Sequence, residues 1–163
     1  MDSERTFLQG SLNNQREHVL GILEGLSDDD LRRRVLPSGW SSLGLVQHLT
    51  WSVEVFWFQR IIMGQDISHI VTPEMFKTEW DVPNDRSAED VFTSYRRAIE
   101  SADAIFERSD LGAPLAYWPE EQWPEWRMTE VRQVVLHVIA ETACHAGHLD
   151  AVRELIDGKQ WIV

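Results

Sequence analysis

Four stretches of the chain place apolar residues at steps of three and four, and this spacing restricts the fold more than any other feature of the sequence. Such steps return to one face of an α-helix, so each stretch predicts a helix with a buried face. No stretch shows the alternation of apolar and polar residues that is typical of a β-strand. We therefore expect an all-α fold, a four-helix bundle with helices over residues 4–26, 42–63, 88–109 and 129–156. The 163 residues are enough to bury the core of one domain, over residues 1–163.

Two of the predicted interhelical connections, residues 64–87 and 110–128, are too long to be simple turns. Long connections of this kind are often functional. The chain has eight tryptophans, and five lie in these connections or just before the second helix: Trp40, Trp80, Trp118, Trp123 and Trp126. These rings either pack the connections onto the bundle or form an aromatic wall around a pocket. The sequence leaves both interpretations open.

The charge of the chain argues against one class of partner. A formal net charge of −12 opposes binding to nucleic acid, because contacts with phosphate supply most of that affinity and need a basic surface. No apolar run approaches the roughly 20 residues of a membrane span, and the first residues lack the pattern of a signal peptide. The single cysteine precludes an internal disulfide and suits a reducing compartment. We expect a cytoplasmic protein that binds a small molecule, with no nucleic-acid or membrane partner.

The last predicted helix carries five potential metal ligands on one face. At about 100° per residue, they fall within an arc of roughly 100°: His137, Glu141, Cys144, His145 and His148. Valines on the same arc direct it towards the core, where ionisable groups are costly unless they are paired or bound to a metal. Because Glu141 and His145 are four positions apart, their side chains project together and can bind one ion.

A single histidine in the second predicted helix, His48, is the candidate partner of this arc. It shares a helix face with Gly44, Ser52 and Val55, which indicates an inward position. Helical bundles commonly place metal ligands on facing inner positions, and three protein ligands with one open position are typical of catalytic zinc. A lone buried histidine, however, is more often hydrogen-bonded within a core, and Glu141 with His145 also fits an ordinary polar pair on an exposed face.

These residues together resemble the DinB/YfiT-like superfamily of metal-binding four-helix bundles. The resemblance rests on segments 44–49 (GLVQHL) and 37–41 (PSGWS), and on the Glu-x-x-x-His-x-Gly-His pattern of residues 141–148. Many members have three histidines, and a glutamate in place of one of them resembles the branch that contains mycothiol-dependent maleylpyruvate isomerase. The resemblance implies that His48, Glu141 and His145 bind a divalent metal, most simply zinc. Other members often have glutamine at the position of His148, and we interpret this histidine as a neighbour of the pocket and the candidate catalytic residue that transfers protons.

Two imidazole nitrogens and one carboxylate oxygen also suit nickel, cobalt, manganese or iron, and nickel is a particular risk in purified protein. His137 is expected in the core or behind the ligands. Cys144 is expected as a buried, unreactive thiol rather than a ligand. His18 and His69 have no partner at ligand spacing, and we expect both at the surface or in a loop.

Three functional hypotheses follow. The resemblance implies a metal-dependent enzyme that activates a low-molecular-weight thiol, such as mycothiol or bacillithiol, for S-transfer or thiol-assisted isomerisation. The same metal also suits a hydrolase that activates water. The third hypothesis is a non-enzymatic, stress-related dimer with a vestigial metal site. Metal content separates the third hypothesis from the first two, whereas the two enzyme classes share one site.

We also expect a homodimer. Residues 134–140 are apolar on all sides except at His137, and a helix of this kind is buried on more than one side. A symmetric dimer is the simplest assembly that covers such a face.

Overall fold

The computed structural model describes residues 3–161, and the regular structure within them is helical. The elements are α1 (Ser3–Leu23), α2 (Asp28–Arg32), α3 (Ser42–His48), a π-helix (Leu49–Ile62), α4 (Pro73–Lys77), α5 (Ala88–Arg108) and α6 (Val131–Asp157). No strand occurs in this range, and its one isolated bridge joins Pro114 to Glu130. The all-α prediction is confirmed. None of the described helices is long and apolar enough to cross a membrane.

The helix ends follow from local sequence. Ser87 and Asp90 form the predicted capping box, in which the Ser87 hydroxyl accepts from the Asp90 N–H and the Asp90 carboxylate accepts from the Ser87 N–H. Ser27 caps α2 through its hydroxyl, which accepts from the Asp30 N–H. Gly158 ends α6 in the left-handed region with φ 77°.

The second predicted helix changes its winding at His48. It begins as α3 and continues without a break as a π-helix, in which hydrogen bonds such as Met63 N–H to Phe58 C=O span five residues. The sequence does not reveal this change, because nearly every residue of the π-helix is buried and no polar face defines the winding. The half-buried positions His48, Ser52 and Phe56 recur at steps of four and form one continuous side of the helix.

Packing between the long helices builds one main core. Helix α1 lies along α6, α5 packs on the π-helix, and α6 also contacts both α3 and the π-helix. The core contains residues from each of these elements, among them Leu12, Val19, Leu45, Phe58, Tyr95, Val134 and Val138. This packing is compatible with a helical bundle. It brings the start of the π-helix against the middle of α6.

A buried ion pair joins three of these helices. Arg16 of α1 donates to both carboxylate oxygens of Glu54 on the π-helix, at 2.7 Å each, and to Asp103 of α5 at 2.7 Å. Burial lowers the pKa of Arg16, but the two carboxylates raise it more, so the guanidinium stays charged. Because Glu54 is only 1% exposed, its charge depends on Arg16 for compensation.

Two predictions about single residues are wrong. His18 does not lie at the surface: it is buried where α1 packs along α6, with Nε2 2.8 Å from Oδ2 of Asp150 and its ring stacked on Trp161. Cys144 is not buried either: it is an exposed residue of α6. His69 is exposed, as predicted. Leu136 of α6 is also exposed, and the homodimer stays a prediction.

We predict that Arg16→Met lowers the free energy of unfolding by about 3–5 kcal/mol, because it leaves the Glu54 carboxylate buried and uncompensated. The double variant Arg16→Met, Glu54→Leu removes both buried charges and is expected to recover most of this loss. Urea unfolding of both variants measures the effect. A double variant as unstable as Arg16→Met alone would contradict this account of the ion pair.

Candidate metal centre

Three side chains from two helices converge at the start of the π-helix. Each of His48, Glu141 and His145 offers one ligand atom, and these atoms lie within 4.8 Å of one another. Glu141 and His145 are one turn apart on α6, with 3.6 Å between Oε2 and Nε2. The rings of His48 and His145 meet edge to face at 5.0 Å. All three residues are half-buried, so the cluster is partly covered by the protein and partly open to solvent.

The surroundings of His145 favour its neutral form. Burial, followed by the positive charges that His48 and His148 carry when protonated, lowers the pKa of His145 to about 4, although Glu79 opposes the shift. Its imidazole is therefore neutral at ordinary pH. A neutral imidazole has the free electron pair that a metal ion requires, so no proton must be displaced from His145 on binding.

Glu79 is a functional candidate that the sequence does not reveal. Its Oε1 lies 3.1 Å from Nδ1 of His48, within ion-pair distance, although the contact does not have hydrogen-bond geometry. Its other oxygen accepts a hydrogen bond from the Ser52 hydroxyl. Glu79 is almost fully buried. It belongs to a connection without helical periodicity, so no spacing relates it to His48 before the chain is folded.

A glycine in α3 explains how this connection approaches His48. A Cβ built on Gly44 would lie 2.2 Å from the Trp80 carbonyl oxygen, so a larger residue at this position would push the connection away. The Gln47 side chain donates to the Glu79 carbonyl oxygen at 2.7 Å and fixes the same backbone. As a result, the Trp80 ring stacks on His48 at 4.2 Å while Glu79 faces the Nδ1 atom of that imidazole.

Four of the other tryptophans form an aromatic cluster beside His137. Trp57, Trp118, Trp123 and Trp126 contact one another, and the His137 ring lies 4.5 Å from Trp57. A cavity of about 230 Å³ adjoins this cluster, lined by Ser52, Phe56, Trp57, Phe76, Glu79, Gln122 and Trp123. Of the five tryptophans in or before the connections, Trp123 lines this cavity, and Trp118 and Trp126 pack against Trp123.

The other potential ligands on α6 lie around the three-residue cluster but outside it. Nε2 of His137 is 4.0 Å from Oε1 of Glu141, and burial lowers the pKa of His137. Nδ1 of His148 is 3.5 Å from Nδ1 of His145. Sγ of Cys144 is 4.0 Å from Nε2 of His148. His148 is exposed, so it lies between the cluster and solvent.

Comparison with known proteins identifies a family. A family model described as mycothiol-S-transferase matches residues 7–158, which is nearly the whole chain. This family is DinB/YfiT-like, so the resemblance stated from the sequence is confirmed. No curated protein and no solved structure gives a significant match.

We predict that Gly44→Ala lowers the free energy of unfolding by about 1–3 kcal/mol, because the added methyl group overpacks against the Trp80 backbone. Gly10→Ala is the matched control. Gly10 also lies within a helix, but its Cβ would meet nothing within 4 Å. Alanine there should stabilise the helix by up to about 1 kcal/mol. Urea unfolding compares the two variants, and equal stability would contradict the close approach at Gly44.

Proposed function

We propose that this chain, which belongs to the mycothiol-S-transferase family, is a metal-dependent enzyme. It uses a divalent metal to join a low-molecular-weight thiol to a small electrophile. The convergence of His48, Glu141 and His145 beside an aromatic cavity is the observation that carries this proposal. The four long helices then form a bundle of the DinB/YfiT-like type. Mycothiol is the thiol that we propose first, and bacillithiol is the alternative.

The donor set fits a divalent metal. Two imidazole nitrogens and one carboxylate oxygen form a common set for zinc, and three protein ligands leave a position for a substrate. Because Nδ1 of His48 faces Glu79, we assign Nε2 of His48 as the ligand atom. Nε2 of His145 faces Glu141 and takes the same role. Glu79 then orients the His48 ring, as carboxylates commonly do behind metal-bound histidines. Nickel and other divalent ions suit the same donors.

The family chemistry requires a thiolate. When bound by these residues, a divalent ion would supply a positive charge that lowers the pKa of a thiol from its free value of about 8.5. We propose that His148, which is exposed beside His145, accepts the thiol proton and passes it to water. The sulfur then forms a bond to the electrophilic carbon, and the leaving group departs with the electron pair of the bond that breaks.

The aromatic cavity is the proposed site for the electrophile. Trp57 and Trp123 stack at 5.6 Å on one side of it, while Ser52 and Glu79 line the side next to His48. A flat, apolar electrophile of about one ring fits these walls. Its reactive carbon would then lie towards the candidate metal centre, where the thiol is activated.

We predict that Glu141→Gln weakens zinc binding at least about 100-fold, because it removes a charged ligand. Substitution of a residue that only hydrogen-bonds to a ligand already lowers metal affinity about 10–100-fold. Cys144→Ala is the matched control on the same helix, and it should leave zinc affinity unchanged. Calorimetric titration of metal-stripped proteins measures both. If Cys144→Ala loses more affinity than Glu141→Gln, the ligand assignment is wrong.

The activity test uses mycothiol with a chlorodinitrobenzene, which releases chloride as the thioether forms. We expect the zinc-loaded protein to accelerate this reaction and His148→Gln to slow it about 10²–10⁴-fold while zinc affinity is kept. His69→Gln, in an exposed loop, is the control. A wild-type rate no higher than that of metal-stripped protein or of His48→Gln would refute the proposed function.

We also propose that the protein is a homodimer, as the apolar character of α6 indicates. Exposed Leu136 supports this, because it leaves a large apolar side chain on the outside of the helix. Light scattering should give about twice the chain mass of 18.9 kDa at micromolar concentration. A mass equal to that of one chain would rule the dimer out.

A further inference from the structure

We propose that a second cavity, between the π-helix and α5, binds a small organic anion that carries a carboxylate on an apolar body. The cavity has a volume of about 430 Å³. Trp51, Val55, Ile70 and Met75 form its apolar wall, and Arg86 and Arg97 supply positive charge. None of the three candidate metal ligands lines this cavity, so the proposal does not depend on the metal.

The environment of Arg86 is the main evidence for the site. Its guanidinium is half-buried and donates to the Gln47 side-chain oxygen and the Ser94 hydroxyl, which are both uncharged. Within residues 3–161, no carboxylate oxygen lies within 4.0 Å of its nitrogens. Burial lowers the pKa of Arg86, while the more distant Asp90 raises it. The structure therefore shelters a positive charge without a paired negative one.

The Arg86 guanidinium has N–H donors that remain available to a ligand. A guanidinium has five N–H donors, and the two contacts to Gln47 and Ser94 leave most of them available. Carboxylates bind such a planar group through two parallel hydrogen bonds. The Arg86 guanidinium also lies 5.5 Å from the centre of the Trp51 ring, so the charge adjoins the apolar wall.

The backbone that carries Arg86 is held in place before any ligand binds. Arg32 donates to the carbonyl oxygens of Val82, Pro83 and Arg86, and so fixes the end of this connection. Ser94, which accepts from Arg86, donates to the Asp90 carbonyl oxygen of α5. A site that is already ordered loses less entropy on binding, and this favours binding of a small ligand.

Arg97 adds a second positive charge at the same cavity. It is exposed on α5 and makes no ion pair among the residues that the structure describes. Its neighbour Arg96 does not line this cavity and pairs with Glu89 instead. Two guanidinium groups at one cavity stand out in a chain with a net charge of −12. They favour an anionic ligand over a neutral or cationic one.

The shape and lining of the cavity favour an organic anion over inorganic phosphate. Ligand pockets are typically about 300–1,000 Å³ and mostly apolar with a few polar groups, as this one is. Inorganic phosphate would contact the arginines but would leave Trp51, Val55 and Met75 uncovered. A carboxylate with one aromatic ring or a short alkyl chain satisfies both parts of the cavity.

The test measures binding of benzoate and hexanoate by calorimetry, with benzamide and hexanamide as neutral analogues of the same shape. We expect at least one acid to bind about tenfold or more tightly than its amide, because a hydrogen bond to a charged group is worth about that factor. Arg97→Gln should also weaken binding of the acid by about tenfold. Arg96→Gln is the matched control at the adjacent position and should have no effect.

The same titrations are repeated on zinc-loaded protein and in the presence of EDTA. Binding that persists in EDTA and depends on Arg97 supports the proposed cavity, whether or not the chain proves to be a transferase. Four results would overturn it: no binding of either acid at about 10 mM, equal affinity for acid and amide, equal effects of Arg96→Gln and Arg97→Gln, or loss of binding in EDTA.

Discussion

The position of His48 depends on the close contact between α3 and the connection that follows α4. Gly44 leaves room for the Trp80 carbonyl oxygen, and Gln47 holds the Glu79 backbone through its side-chain amide. These contacts place Trp80 on the face of the His48 ring and Glu79 at one of its nitrogens. Packing of α6 against the same helix then brings Glu141 and His145 to the other side. A ring held on both sides suits a metal ligand, because its orientation is fixed before an ion binds.

Gln47 also connects the candidate metal centre to the proposed anion cavity. Its amide nitrogen donates to the Glu79 carbonyl oxygen, and its amide oxygen accepts from Arg86. The group behind His48 and the charge in the second cavity therefore share one side chain.

The sequence predicts features that depend on local spacing. The helical class, the capping box at Ser87 and the pairing of Glu141 with His145 follow from positions three and four apart. Tertiary contacts decide the rest. Glu79 has no regular spacing to His48, and His18 becomes buried only when α1 packs along α6. The π-helical winding of residues 49–62 cannot be predicted from the sequence, because these residues are buried on nearly all sides. Their pattern indicates a helix but does not distinguish a π-helix from an α-helix.

X-ray absorption at the zinc edge of the metal-loaded protein, without added thiol, tests the central claim most directly. The account predicts two imidazole nitrogens and at least one carboxylate oxygen around the ion at about 2.0–2.2 Å, and the loss of one imidazole in His48→Gln. A sulfur neighbour at about 2.3 Å would instead identify Cys144 as a ligand. That result, or an unchanged spectrum in His48→Gln, would contradict the centre formed by His48, Glu141 and His145.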